Sequence, residues 1–459
     1  MKTKFQILLL LAIGGISVLS CGGDEGVPPE PLFEGDLVLF SQEAVNQAGQ
    51  KGHVDITGTL KITDSAGLTP ITDLSVLSTI KTISGDLVVS ATDRLTSLDG
   101  LNNLEEIGGD ITIEENRNLL QINALSGVTV YAEPVVTVSN NFIMQNLEGL
   151  NGIEVAQRFR IHENRNLSSL KGLENLKRVN DRLSVSINPL LSDLGALANL
   201  EYAGDLLLSG GIFRDFSGFS GLKTVAGVLM VSFQNEVTDL SGFAELSNLG
   251  TLSLDDNASM TSLTGLTNLT TITKDIQIQN CHALTDLKGL EFVTNVEFIL
   301  LVQNDNLAAL TGLDNLEAIN ILTFNNNAKL SDLSSLSKLE IVSERLTVIQ
   351  NDQLSTLQGL EALKTAGFLD FSANDNLANL DALQNLEVLR DLQLVANPSL
   401  INLDAFQSLD KLDGFWAERN NNLIDFCGIA NTNIQFDYEA SDNAFNPTKE
   451  DLANGRCRQ

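Results

Sequence analysis

The sequence predicts a mainly β protein, a parallel β-solenoid of about 16 coils of 23–24 residues with a small cap at each end. The pattern apolar-x-apolar-x-x-Asn recurs from Asn116 to Asn420, 304 residues in 13 steps, so the period is about 23.4. Between successive Asn positions, apolar residues recur at every third position. A fixed period of roughly 20–50 residues is typical of a solenoid, whose coils bury apolar side chains only against neighbouring coils.

Residues 1–20 are predicted to form an export signal. Lys2 and Lys4 precede an apolar stretch of about 15 residues, which is short for a membrane span. The stretch ends in Val18-Leu19-Ser20-Cys21, which resembles the bacterial lipobox. This resemblance implies that Cys21 is lipidated and that the chain is an outer-membrane lipoprotein, attached to the membrane through its N-terminal lipid. The alternative is an ordinary signal peptide followed by an incidental Cys.

Residues 21–34 are predicted to be a flexible tether, because glycines are followed by Val27-Pro28-Pro29-Glu30-Pro31. Acidic residues directly after Cys21 resemble the surface-export signals of Bacteroidetes lipoproteins, which implies exposure on the cell surface. A periplasm-facing position is the alternative.

Residues 35–54 are predicted to form the N-terminal cap. Asp36–Phe40 has the alternating pattern of a strand. Ser41 is a suitable N-cap for a short helix that runs through Ala48, and Gly49 is predicted to end it.

Residues 55–426 are predicted to be the solenoid itself. In one coil, Leu307, Leu310, Leu313, Leu316 and Ile319 are spaced by three residues, which drifts off the face of an α-helix. This spacing suits tight or 3₁₀ turns that repeatedly direct one residue inward. A short strand of period two then follows each run, with its middle side chain directed outward.

A column of amides is predicted to follow the strands as a structural ladder. A side-chain amide can satisfy backbone groups in the turn and bond to the next amide of the stack. Gly210 and Gln234 fall in the same register, with weaker matches at Ser65 and Thr92. Cys281 stands in the column and is predicted to be a buried thiol rather than a nucleophile or metal ligand. The ladder comprises Asn116, Asn141, Asn164, Asn188, Asn257, Cys281, Asn304, Asn327, Asn351, Asn374, Asn397 and Asn420.

Residues 427–459 are predicted to form the C-terminal cap. Thr448 and Asp451 have the spacing of a capping box, and Gly455 is suited to end that short helix. A disulfide between Cys427 and Cys457 is expected, since export exposes both to oxidising surroundings and the other two cysteines have other assignments. Two free thiols are the alternative.

The repeat resembles the receptor L-domain repeat, a resemblance carried by segments such as residues 98–116, LDGLNNLEEIGGDITIEEN. That repeat occurs in the ligand-binding ectodomains of insulin- and EGF-type receptors, in fungal cell-wall proteins and in many bacterial lipoproteins. The resemblance covers most of residues 55–440 and implies a right-handed, leucine-rich-repeat-like β-solenoid. Similar bacterial proteins also close with Cys-Gly and, later, Asn-Pro-Thr before the last Cys. The repeat identifies architecture well and function poorly.

The charge excludes several classes of partner. The chain has 28 Lys+Arg and 59 Asp+Glu, a net charge of −31. Nucleic acid, anionic headgroups and polyanionic glycans would be repelled. The sequence shows no phosphate-binding glycine loop, zinc-ligand cluster or EF-hand spacing, so no cofactor and no metal is predicted.

Three groups of outward strand residues are candidate sites. Arg160 and His162 lie near Glu114 and Ser186, a cluster that would suit a polysaccharide lyase or hydrolase. No paired carboxylates accompany it, so a solvated charged rung is preferred. The other two groups are apolar and mark either partner sites or scattered β-formers: Leu207 and Met230, and Leu300, Val302 and Ile349 with Thr347.

The sequence favours a non-enzymatic, lipid-anchored surface protein that binds a protein or neutral glycan through its long face. A passive spacer of the envelope is the second hypothesis, and a polysaccharide-active β-helix enzyme is the third.

Overall fold

The computed structural model describes residues 31–131 and 133–459. In chain order, its strands are β1 Leu32–Phe33, β2 Leu37–Leu39, β3 Asp55–Ile56, β4 Leu60–Thr63, β5 Thr82–Ile83, β6 Leu87–Ser90, β7 Glu106–Ile107, β8 Ile111–Glu114, β9 Thr129–Val130, β10 Val135–Ser139, β11 Val155–His162, β12 Arg178–Ser186, β13 Tyr202–Ser209, β14 Thr224–Ser232, β15 Asn248–Asp255, β16 Thr271–Ile272, β17 Asp275–Gln279, β18 Asn295–Val302, β19 Ala318–Asn325, β20 Ile341–Ile349, β21 Thr365–Ser372, β22 Val388–Val395, β23 Lys411–Glu418 and β24 Asn433–Ser441. The α-helices are α1 Gln42–Lys51 and α2 Lys449–Ala453.

Each coil contributes a strand to one long parallel sheet, so the mainly β, parallel solenoid fold is confirmed. Within the described residues, 18 strands pair in chain order: β2, β4, β6, β8, β10 to β15, and β17 to β24. The sequence analysis predicts about 16 coils. The difference arises at the two ends, where β2 and β24 belong to the sheet although they lie in the segments predicted to be caps.

A second, narrower sheet runs beside the first in the early coils. It contains β1, β3, β5, β7 and β9, all of two residues. From β11 onward most coils fuse the two short strands into one of eight or nine residues, usually with a register shift between the halves, as at Ala156/Arg158. Leu32 and Phe33 pair with Asp55 and Ile56, so the ordered coils begin inside the segment predicted to be a tether.

The core is a continuous stack of aliphatic side chains. Leu307, Leu310, Leu313 and Leu316 are fully buried, as the spacing of three predicts. On the strands the alternate residues point inward, for example Phe159 and Ile161. In several coils the return segment contains a 3₁₀ turn: Ser75–Leu77, Asn123–Leu125, Gly195–Leu197, Ser217–Phe219, Ser241–Phe243, Ser334–Leu336, Asp381–Leu383, Asp404–Phe406 and Cys427–Ile429.

The amides after the strands form a buried ladder. Asn304 Nδ2 donates to the carbonyl of Ile278 at 3.0 Å and to Asn327 Oδ1 at 3.2 Å. The backbone N–H of Asn304 also donates to Asn327 Oδ1, at 3.1 Å. Backbone groups that the tight turn would leave unpaired are therefore satisfied by the neighbouring coil.

Cys281 occupies the same position with a weaker contact. Its thiol is buried, and Asn257 Nδ2 lies 4.0 Å from Sγ. Burial raises the pKa of this thiol from 9.0 to about 11, so it is protonated at neutral pH.

Three details of the predicted ladder change. Gly210 has φ +61 and precedes the column, so Gly211 takes the place of the amide, and the ring of Phe213 fills the space that a side chain there would need. Ser65 is exposed and is not a rung. Beyond Asn420 the ladder continues to Asn443, whose N–H donates to Asn446 Oδ1 at 2.9 Å, a rung that the sequence analysis missed.

The residue before each ladder position takes the left-handed αL conformation. Fifteen non-glycine residues in the described part of the chain have positive φ, all at this position. Most have small or polar side chains that tolerate αL, such as Asn140 and Asn280. Ile187 and Phe233 are the costly exceptions, because branched and bulky side chains are disfavoured there.

The terminal caps agree with the prediction in most respects. Ser41 Oγ accepts from the N–H of Ala44, but the helix ends at Gly52, with φ +61, rather than at Gly49. Gly49 lies within α1 because the helix packs against the backbone and side chain of Val76, where a Cβ would clash. At the other end, Thr448 and Asp451 form a capping box.

Cys427 and Cys457 form a disulfide, which joins the last 3₁₀ turn to the chain end. The predicted signal, residues 1–20, lies outside the described residues, as do Cys21 and the tether as far as Glu30. In the described part of the chain, no helix has the length and hydropathy to cross a membrane.

Candidate binding surface

The side of the long sheet that points away from the core carries three columns of residues, together called the outward face, and most of them are at least partly exposed. Residues of one column lie opposite each other in neighbouring strands, separated by about 4.8 Å. The first column includes Val135, Arg158, Arg182, Asp205, Thr251, Asp275, Phe298, Ile321, Arg345, Phe368, Asp391, Gly414 and Asp437. The middle column runs Thr112, Thr137, Arg160, Ser184, Leu207, Met230, Ser253, Gln277, Leu300, Thr323, Thr347, Asp370, Gln393, Trp416 and Glu439. The last column includes Glu114, Ser139, His162, Ser186, Val302, Asn325 and Ile349.

Arg160 and His162 both lie on this face, in the middle and last columns. Arg160 is exposed between Thr137 and Ser184. His162 Nδ1 is 2.8 Å from Ser186 Oγ, and its Nε2 is 3.3 Å from a carboxylate oxygen of Glu163.

These surroundings do not assemble hydrolytic chemistry. Glu114 lies two coils from His162, with Ser139 between them. Arg158 is paired with Asp181, and Arg182 Nη2 lies 2.8 Å from Asp205. Asp181 and Asp205 are therefore engaged in ion pairs. Among the described residues, no cluster of His, Cys, Asp or Glu has the arrangement of a metal site.

The first apolar group is larger than Leu207 and Met230 alone. These two side chains are half-buried neighbours in register, and Val228 lies beside them in the first column. At the turns that follow β12 and β14, Ile187 and Phe233 are 49% and 54% exposed. Ser186, Ser209 and Ser232 lie between these turns and the apolar side chains of the face.

The second apolar group is also larger than predicted. Leu300, Val302 and Ile349 are half-buried on the outward face. The first column adds three further apolar side chains, which the sequence analysis missed: Phe298, Ile321 and Phe368. Extending the period-two alternation by one residue, from 302 and 300 to 298, would have found them. We call these six residues the apolar patch.

Polar groups border the apolar patch. The guanidinium of Arg345 lies 4.3 Å from the ring centre of Phe368 and covers one of its faces. Asp370 is 95% buried from solvent in the middle column, and Ser372 Oγ donates to its Oδ1 at 2.5 Å. Burial raises the pKa of Asp370, and the nearby Arg345 opposes that shift.

A groove runs alongside the apolar patch, where the strands bend. Its volume is about 590 Å³, and it crosses the coils from Thr270 to Ser343. Uncharged polar side chains predominate in its lining: Thr270, Thr271, Thr273, Thr294, Asn295, Asn320 and Ser343. The arrangement can offer hydroxyl and amide contacts next to aromatic surface, and it holds no cluster of nucleophiles or general bases.

Comparison with known proteins gives a match to the architecture. Residues 54–169 match the receptor L domain family. Among solved structures, an internalin of Listeria monocytogenes is similar, with a TM-score of 0.37 and 21% identity over 60% of this chain and 76% of that chain. A leucine-rich repeat protein of Leptospira interrogans has a TM-score of 0.43 and 18% identity, over 90% of this chain and 97% of that one. No curated protein matches the sequence significantly.

The family match covers about a quarter of the chain, and the two structural similarities are too weak to bear on function. The repeats continue in register far beyond the matched segment, from β11 to β24. The chain is thus similar to receptor L domains over residues 54–169, and its parallel β-solenoid extends to 18 coils within the described residues.

Proposed function

We propose that this chain is a non-enzymatic binding protein, lipid-anchored to the surface of a bacterial outer membrane, that recognises a protein or a neutral glycan through its outward face. The observation that carries the proposal is the apolar patch. It gathers six apolar side chains over four adjacent coils, on a sheet face whose other outward residues are mostly short and polar. Contiguous exposed apolar surface rimmed by polar groups is typical of interaction sites.

The surroundings of the patch limit its ligand. The net charge of −31 disfavours polyanions, whether nucleic acid or acidic polysaccharide. Aromatic surface beside a groove of hydroxyl and amide groups suits a neutral glycan or the apolar surface of a protein. Arg345 lies over the ring of Phe368, and the buried carboxylate of Asp370 accepts a hydrogen bond from Ser372. Both charged groups at the patch therefore already have partners and hold it in place.

A binding experiment tests the patch. The full-length chain is presented to a glycan array and used as bait for cell-surface proteins, and its ligand is then measured against two variants. Phe298→Ser removes an aromatic side chain from the patch and is expected to weaken binding about tenfold or more. Phe292→Ser makes the same chemical change at a 58% exposed residue outside the outward face and should leave binding unchanged. Equal binding by both variants would contradict the proposal.

The anchor is tested separately. Cys21→Ala should abolish membrane attachment and labelling by a fatty acid analogue, without unfolding the coils that begin at Leu32. Equal labelling of the variant and the wild type would refute the lipid anchor and leave the binding face untouched.

A further inference from the structure

The outward face has an uneven distribution of charge that the proposed function leaves unexplained. The segment 155–233 contains nine Lys or Arg and seven Asp or Glu, a net charge of +2 in a chain of −31. On the face this segment presents Arg158, Arg160 and Arg182. The last two strands present Glu418, Asp437 and Glu439 instead.

The two charged ends lie at equal distances from Leu300, at one edge of the apolar patch. Along the middle column, six steps lead from Arg160 in β11 to Leu300 in β18. Six further steps lead from Leu300 to Glu439 in β24. At about 4.8 Å a step, each charged end is about 29 Å from Leu300.

From this spacing we infer that the partner of the outward face is a second copy of this chain, packed face to face with the two solenoids antiparallel. The two-fold axis lies between the two faces, over the middle of β18 and parallel to the strands. It places β11 of one copy on β24 of the other. Arg160 then faces Glu439 and Arg158 faces Asp437, and the symmetry repeats both contacts. This inference rests on the proposed function, because it names the ligand of the same face.

Part of the face between the charged ends fits the same arrangement. Leu300 and Phe298 lie at the axis and pack against their own copies, so an apolar centre is flanked by two charged ends. Phe368 in β21 faces Val228 in β14, whereas Leu207 and Met230 face Gln393 and Asp370. Asp391 and Asp205 come to face each other, and each is already paired with an arginine, Arg390 and Arg182.

The contact is large enough for a specific dimer. Twelve steps of about 4.8 Å and three columns about 6.6 Å apart give about 750 Å² per copy, close to the roughly 800 Å² of a standard interface. Antiparallel solenoids carry their N-termini at opposite ends. Two chains anchored through Cys21 to facing surfaces would thus meet in this orientation.

A charge-swap experiment tests the register. The full-length chain, in density-matched detergent, is studied by sedimentation equilibrium, and the wild type is expected to form dimers. Arg160→Glu and Glu439→Arg should each raise the dissociation constant about tenfold or more, because both contacts then join like charges. An equimolar mixture of the two variants should restore the dimer, since each contact again joins opposite charges.

Lys171→Glu is the matched control, since it reverses a charge outside the outward face and should leave the dissociation constant unchanged. A monomeric wild type, or a mixture that dimerises no better than its components, overturns the inference. If a monomeric wild type still binds a glycan or another protein in a manner that Phe298→Ser abolishes, the proposed function stands and only the identity of the partner is wrong.

Discussion

At the scale of single residues, one buried amide per coil stabilises the turn that follows the strand. Asn304 accepts from the N–H of Cys281 at 3.0 Å, and its own amide bonds to Ile278 and Asn327. We expect Asn304→Ala to leave buried backbone groups without partners, each at a cost of about 1–3 kcal/mol. Urea unfolding would measure the loss of stability.

The neighbouring Asp305 supplies the control. Its carboxylate pairs with His282 at 2.9 Å, and both side chains are half exposed. Asp305→Ala should therefore change the unfolding free energy by less than about 0.5 kcal/mol. If Asn304→Ala proved as stable as the wild type, the column would not be a structural ladder.

Ile187 should be a residue whose replacement stabilises the fold. Its φ is +54 and its side chain is 49% exposed, so the fold bears an αL cost of about 1–2 kcal/mol with little burial in return. We expect Ile187→Asn to raise the unfolding free energy by about 0.5–1 kcal/mol, since Asn tolerates αL. Ile212→Asn makes the same change at a 46% exposed residue without positive φ, and should not stabilise.

The buried thiol of Cys281 should make the unfolding free energy depend on pH. Its folded pKa of about 11 lies above the ordinary value of 9.0, so the protonated thiol favours the folded state. This contribution is complete below pH 9 and is lost as the pH rises from about 9 to about 11. The difference in unfolding free energy between wild type and Cys281→Ala should shrink over that interval, as urea titrations would show. A constant difference would mean that the thiol is not buried.

At the scale of structural elements, the C-terminal cap depends on one covalent bond. The disulfide joins Cys427 to Cys457, and the N–H of Phe426 donates to the carbonyl of Cys457 at 2.8 Å. We expect Cys457→Ser to lower stability by roughly 3–4 kcal/mol, because the closed loop of 30 residues is lost. Hydrogen exchange should accelerate in β24 and α2 and remain slow in β18. Acceleration along the whole chain would contradict the independence of the coils.

The strands and turns could be predicted because the same sequence pattern recurs in coil after coil. A single Asn is weak evidence, but an Asn at a fixed place after an alternating strand, repeated every 23–24 residues, leaves little choice of register. Irregular positions of the repeat were harder to predict. Glycine commonly ends a helix, which is why the sequence predicts an end at Gly49. Only the contact of Gly49 with Val76 shows why a glycine is needed inside α1. Likewise, the ladder position falls on Gly211 rather than Gly210 because the ring of Phe213 fills the space that a ladder side chain would occupy.

The binding surface was less predictable for a related reason. Outward residues in the second half of a strand follow the alternation, and so Leu300 and Val302 were identified. Phe298 is the first outward residue after the bend in β18, so its position follows only when the alternation of Leu300 and Val302 is extended back to the bend. The pairing of Phe298 with Ile321 in the next coil confirms that position.

At the scale of the whole molecule, strand pairing within the described residues joins only neighbouring coils. The strands of the long sheet pair only in chain order, so local damage should remain local. The same linear order is why composition alone can mislead, since a chain of net charge −31 contains a stretch of +2. The stretch is visible only when the sequence is divided by coils.

The amide ladder gives the molecule an electrical direction. The backbone N–H of each ladder residue donates to the side-chain oxygen of the next, from Thr92 to Asn188 and again from Cys281 to Asn446, so these hydrogen bonds all point toward the C-terminus. Aligned hydrogen bonds polarise one another, and each run therefore behaves as one cooperative unit, comparable to the backbone of a helix. Gly211 and the weak Asn257–Cys281 contact interrupt the alignment. The two runs of aligned hydrogen bonds are therefore electrostatically separate, although the strands between residues 188 and 281 remain paired without a break.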